Sequence, residues 1–236
     1  MNDARLSAAD ITDAETLLRP VMRRTPVVAS RILSDLTGHE VRLKCENLQR
    51  TGSFKPRGAY FRIARLSAAE RAGGVVAASA GNHAQGVAWA ATQLGISATV
   101  FMPTGVSLPK LVATKAYGAD VTLVGTTVDE ALTSARDFAD RTGATLIHPF
   151  DHIDIVAGQA TLGAEVLEQM PEVARSWFRP GAEDCSRASP RPRTCVSPEC
   201  GSSASRPRGQ PPGLPLSPQV TRSPPRRCRR WPTVSR

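Results

Sequence analysis

Lys55 stands in ENLQRTGSFKPRGAY, after Gly52 and Ser53 and between Phe54 and Pro56. With Ser53 as the expected N-cap, its amine falls in the first turn of a helix, against the positive end of the dipole, where a solvated cation is poorly placed. If that amine is buried its pKa falls, and it becomes a nucleophile able to condense with a carbonyl compound. On these residues alone the competing reading, a surface lysine reaching into water, is the stronger.

A second stretch, VVAASAGNHAQGVAWAA, runs from a buried-type strand into Ser79, Ala80, Gly81, Asn82 and His83 at the start of a helix. Small residues there let backbone approach a ligand closely, and successive N–H groups form an anion-binding nest. Asn82 can donate and accept together, which suits a ring oxygen or an imine. His83 is the most tempting residue to make catalytic, but a single histidine at a helix start reads first as structural and is left out of the catalytic set.

Other polar groups carry less. Asp151, His152 and Asp154 have metal-ligand chemistry but no second cluster to complete a site, so Asp151 reads as a helix cap and no metal is expected. Glu165 and Glu168 read as the solvated face of the last helix. No glycine-rich fingerprint for a dinucleotide or a Walker-type phosphate site is present.

The elements that must position these residues alternate from Val41 onward. VRLKCENL has the period of two of a strand, SFKPRGAYFRIARLSAAERAG follows as one helix with Pro56 early, and GVVAAS is a short apolar strand. GNHAQGVAWAATQLG is the next helix, then ISATVFMP, SLPKLVATKAYG, DVTLVG, TVDEALTSARDFADRTG, TLIHPF and IDIVAGQATLGAEVLEQM alternate as strand and helix. Short strands separated by helices imply right-handed crossovers and a parallel sheet, so the class is α/β.

At ENLQRTGSFKPRGAY and ASAGNHAQGVAWAA the chain resembles the fold-type II pyridoxal-phosphate enzymes, whose architecture is that of the tryptophan synthase β chain. Among them it is most similar to the threonine ammonia-lyases, with serine racemases as near relatives. The likeness runs from about Leu6 to Val173 and includes RTPVVAS, VFMP, KAYGADV and HPFD.

The resemblance implies that Lys55 holds pyridoxal phosphate covalently beside Phe54, that Asn82 bonds the ring's 3-oxygen, and that Ser79, Ala80, Gly81, Asn82 and His83 grip the substrate carboxylate. It further implies loss of the β-hydroxyl of threonine or serine, giving a 2-oxo acid and ammonia. Serine racemases usually carry a second serine where this chain has Ala80, so elimination is favoured over racemisation. Residues 1–53 and 148–173 would be parts of the larger domain, left incomplete, and residues 54–147 the smaller one. A homo-oligomer is expected of the full-length family.

Composition divides the chain near Val173. Residues 1–173 carry 17 Lys+Arg against 18 Asp+Glu, whereas residues 174–236 carry 13, all arginine, against 3, so the basic balance belongs to the tail. The tail also holds 12 of the 19 prolines and four of the five cysteines, none in a CxxC pair, and reads as disordered rather than zinc-binding. Its charge could attract nucleic acid, but its aromatics are Trp177, Phe178 and Trp231 and it has no recognisable binding module. With neither a membrane-length apolar run nor a secretion signal, the chain reads as cytoplasmic.

Where the family continues with a strand and a glycine-rich phosphate turn, this chain has SWFRPGAEDCSRAS from Ser176 to Ser189. Written with G or C in each free third position and read one base earlier, the same codons translate as VVVPAGGGGLLAGL. A frameshift near Arg175 is therefore expected, with the phosphate turn encoded in another frame.

Overall fold

The computed structural model describes residues 6–173; the expectations for residues 174–236, including the out-of-frame phosphate turn, lie outside them. A helix not anticipated from the sequence, α1 (Ala8–Leu18), begins with a capping box in which Ser7 and Asp10 satisfy each other's backbone N–H groups. β1 (Val27–Ala29) and β2 (Arg42–Lys44) then pair antiparallel as a small separate sheet, with α2 (Arg31–Thr37) between them. Of VRLKCENL only Arg42–Lys44 is strand, because the chain turns into a 3-10 helix at Glu46–Leu48.

The expected long helix is two. α3 (Lys55–Ala64) stops at Arg65, and α4 (Ala68–Gly73) restarts with a second capping box between Ser67 and Glu70. Ser53 does not cap α3: Phe54 occupies that position without a side-chain bond, and the Ser53 hydroxyl is buried with no partner.

The α/β alternation is present as expected. β3 (Val75–Ala78), α5 (Asn82–Gln93), β4 (Ala98–Met102), α6 (Leu108–Ala116), β5 (Asp120–Leu123), α7 (Val128–Thr142), β6 (Thr145–Leu146) and α8 (Ile153–Gln169) follow in order. The four strands form a parallel sheet in the order β5-β4-β3-β6. β6 is shorter than TLIHPF suggested: after Leu146 the chain leaves the sheet, and residues 147–152 cross to α8.

All four residues of β3 are buried, as befits a central parallel strand covered on both faces. The period of two sends Val75 and Ala77 into the cluster with Ala84, Val87 and Ala88 of α5, and sends Val76 and Ala78 into a second cluster with Ala131 and Ala135 of α7. Alanines on both helices keep those layers close to the strand. No helix among the described residues is long and apolar enough to cross a membrane.

α3 and α8 cross at two glycines. A Cβ on Gly158 would lie 2.7 Å from the Arg57 carbonyl oxygen and 2.7 Å from Gly58 Cα, and one on Gly58 would lie 2.8 Å from the Ile155 carbonyl oxygen. The helix that begins at Lys55 is thus held by backbone-to-backbone contact with α8.

Candidate active site

The sheet order sets where a ligand can lie. The chain moves outward from β3 to β4 and β5, then returns to the other side of β3 as β6, so the direction of winding reverses between β3 and β6. In such sheets the carboxyl ends of the strands diverge at that point and open a crevice. Here the two segments leaving it are Ser79–Gly81, which leads into α5, and Ile147–Asp151, which leads towards α8.

Lys55 reaches this crevice from α3. Its Nζ donates to the Pro149 carbonyl at 3.0 Å and lies 5.1 Å from the centre of the Phe54 ring. The approach depends on Gly86 of α5, since a Cβ there would sit 3.1 Å from the Lys55 carbonyl carbon and 3.3 Å from its Cβ. Lys55 is half-buried, so the surface-lysine reading does not describe it.

Ser79 and Ala80 are half-buried, and the Ser79 hydroxyl accepts from the Gly81 N–H at 3.2 Å, tightening the turn before α5. Asn82 is exposed, and its side chain makes no hydrogen bond among the described residues. As the opening residues of α5, Asn82 and His83 have N–H groups for which the helix offers no partner. The Ser79 N–H is already used by the Phe101 carbonyl at 3.1 Å, so the donors left for a ligand are those that open α5.

The His83 side chain turns inward. It is 4% exposed, and its Nε2 lies 2.9 Å from the Ile147 carbonyl, so Nε2 carries a proton and donates. Burial pushes the ring down to about 4, the Ile147 bond opposes that, and the charge of Lys55 adds to it. The imidazole is neutral near pH 7, and only the backbone N–H of His83 can face the crevice.

Two other readings are corrected here. α8 is capped not by Asp151 but by His152, whose Nδ1 accepts the Asp154 N–H at 3.1 Å, while the Asp151 N–H donates to His148 Nδ1 at 2.8 Å. Glu165 is not solvated. It accepts from Arg57 Nη1 at 2.8 Å and Lys44 Nζ at 2.6 Å, whereas Glu168 pairs with Arg24 near the surface.

Arg57, 1% exposed, is the centre of that buried network, and it also donates from Nε and Nη2 to Glu46, each at 2.9 Å. Burial acts to raise the Glu165 carboxyl, but its bonds and charge contacts with Arg57 and Lys44 outweigh it and hold the group below its ordinary value. The network fixes the first turn of α3 to α8 just behind Lys55.

Sequence reasoning missed Pro149, which acts through a backbone carbonyl, and Lys110 of α6, whose Nζ is 4.0 Å from where a Cβ of Gly81 would be. The signal used for Lys55, a cation in the first turn of a helix, is present at Lys110 too.

These residues fit the ring end of a pyridoxal cofactor: an amine, a free amide, the N–H groups that open α5 and, two residues before Lys55, the orphaned buried hydroxyl of Ser53. The stretch where an out-of-frame phosphate turn is expected from the sequence, residues 176–189, lies outside the described residues.

Comparison with known proteins agrees. Residues 18–181 match the family described as pyridoxal-phosphate dependent enzymes. An L-threonine ammonia-lyase of Thermotoga maritima is 50% identical over 168 residues, which are 71% of this chain and 42% of that protein. A threonine deaminase isoform of Solanum lycopersicum superposes with a TM-score of 0.69 at 35% identity, covering 76% of this chain and 51% of that one. A serine racemase of Dictyostelium discoideum gives 0.72 at 34% identity, covering 77% and 59%. The chain thus spans about half the length of the relatives it matches. By that match over residues 18–181, the chain belongs to the pyridoxal-phosphate dependent enzymes.

Proposed function

We propose that this chain carries the lysine and the substrate loop of a pyridoxal-phosphate lyase that deaminates L-threonine, and L-serine, to 2-oxobutanoate or pyruvate and ammonia. The observation that carries the reading is the convergence of the Lys55 amine and the Asn82 loop at the reversal between β3 and β6. The threonine ammonia-lyase named among its relatives supports the choice of substrate. In this reading residues 54–147 form the smaller domain, residues 1–53 and 148–173 contribute to the larger one, and the working enzyme is a cytoplasmic homo-oligomer.

Bound in the crevice, the cofactor ring would serve as the sink for the electron pair released at the substrate's α-carbon. Lys55 Nζ would hold the cofactor and, once displaced by the substrate's amine, accept the α-proton. Phe54 would flank the amine, and the Asn82 amide would bond the ring oxygen. Ser79, Ala80, Gly81, Asn82 and His83 would hold the substrate carboxylate, chiefly through backbone N–H groups. Ala80 offers no proton on the opposite face, so inversion at the α-carbon lacks a donor and loss of the β-hydroxyl is the favoured outcome. The racemase alternative lacks its second proton carrier.

The test is covalent. The chain is incubated with pyridoxal phosphate, reduced with borohydride and mapped by mass spectrometry. Label concentrated on Lys55 and absent from Lys55→Ala supports the reading, and label spread evenly over Lys44, Lys110 and Lys115 overturns it. D-serine formed from L-serine faster than pyruvate would favour the racemase alternative instead.

A further inference from the structure

Both halves of the site are tied to one short piece of backbone. Ile147 is the first residue after β6; its N–H donates to the Val76 carbonyl at 2.8 Å, which fixes it to β3. Its carbonyl accepts from His83 Nε2 at 2.9 Å. The next turn is closed by His148, whose Nδ1 accepts the Asp151 N–H at 2.8 Å and whose ring meets Phe150 edge-on at 4.8 Å. Between them the Pro149 carbonyl accepts from Lys55 Nζ at 3.0 Å.

We infer that His83 is a positioning residue for Lys55. Its imidazole ties the start of α5 to the Ile147–Pro149 crosspiece, and the crosspiece sets where the lysine amine stands relative to the Asn82 loop. The inference rests on the proposed role of Lys55 and deepens it.

Two features support the assignment. His83 is adjacent to Asn82, so the tie is made at the loop and not at a distance. Its ring is buried and donates to a carbonyl, which leaves it no access to a substrate in the crevice. An amide of matching reach is the conservative replacement: the Nε2 of glutamine can occupy the place of the imidazole Nε2, whereas asparagine stops about one bond short. A structural role that needed only bulk or polarity would not separate the two amides.

The experiment compares His83→Gln and His83→Asn with the unaltered chain. It measures the rate at which Lys55 is labelled by pyridoxal phosphate and borohydride, with circular dichroism as the check on fold. Misplacement of a reacting group by about 1 Å costs on the order of 100-fold, so His83→Asn is expected to label Lys55 roughly 10-fold to 100-fold more slowly and His83→Gln within about 3-fold of the unaltered chain. Equal rates in the two variants, whether both fast or both slow, overturn the inference. So does an unfolded His83→Asn beside a folded His83→Gln, which would assign the bond to stability alone. If the unaltered chain takes no label at Lys55, the proposed function itself falls. Labelling of Lys55 that ignores His83 removes only the positioning role.

Discussion

At the scale of single residues, the buried polar groups have consequences that can be measured without substrate. His83 has a folded pKa of about 4 against 6.5 for the free side chain, so the unfolded chain takes up a proton before the folded one does. Stability is therefore lost as pH falls from 6.5 towards 4, by about 3 kcal/mol at the lower end. Replacing His83 by glutamine, which does not titrate, should flatten that part of the urea midpoint-versus-pH curve. An unchanged slope would show that His83 is not the group responsible.

Glu165 acts in the same direction at lower pH. Its folded pKa lies below the ordinary 4.5, so the stability it contributes is present above that value and is lost as pH falls through the folded pKa. Arg57→Leu leaves Glu46 and Glu165 buried without their shared cation and should cost about 3–5 kcal/mol in denaturant unfolding. A loss below about 1 kcal/mol would place the network among weak surface pairs.

At the scale of elements, local signals and local outcomes agree best. The apolar run of β3 and the alanine-rich α5 follow from short-range pattern, and the structure has both, whereas the Ser67 cap that separates α4 from α3 was not read. The crossing of α3 and α8 was not legible, because Gly58 and Gly158 matter only when two distant helices meet. Gly158→Ala places a methyl 2.7 Å from backbone atoms of Arg57 and Gly58, which cannot swing aside. It should destabilise the fold by about 1–3 kcal/mol and slow labelling of Lys55, since that helix carries the amine. A thermal melt and labelling rate both equal to those of the unaltered chain would contradict this account of the crossing.

At the scale of the whole molecule, charge and length separate two regions: residues 1–173 are nearly neutral, 17 basic against 18 acidic, and the excess of arginine lies beyond them. The matched relatives are about twice as long as the part of them that this chain covers. If codons 176–189 hide the phosphate turn, sequencing the gene through codon 175 will show the glycine run one base out of frame. A chain with that frame restored should bind pyridoxal phosphate at least about 10-fold more tightly, because each charge-assisted bond to the phosphate contributes about 1.5–3 kcal/mol. Equal affinity of the two chains would end that account of the tail.

The sequence by itself determined the α/β class, the alternation of strands and helices from Val75 onward, the lysine and asparagine stretches and the family they belong to. These rest on periodicity, caps and spacing within a few residues. Only the tertiary structure decided that Lys55 stands against the Pro149 carbonyl, that His83 turns inward to Ile147, and that Glu165 is buried on Arg57. Each of these joins residues 64 to 108 positions apart through backbone oxygens or buried charges. Contacts of that kind leave no local pattern, because their energy comes from burial and geometry that exist only once the sheet has placed its loops side by side.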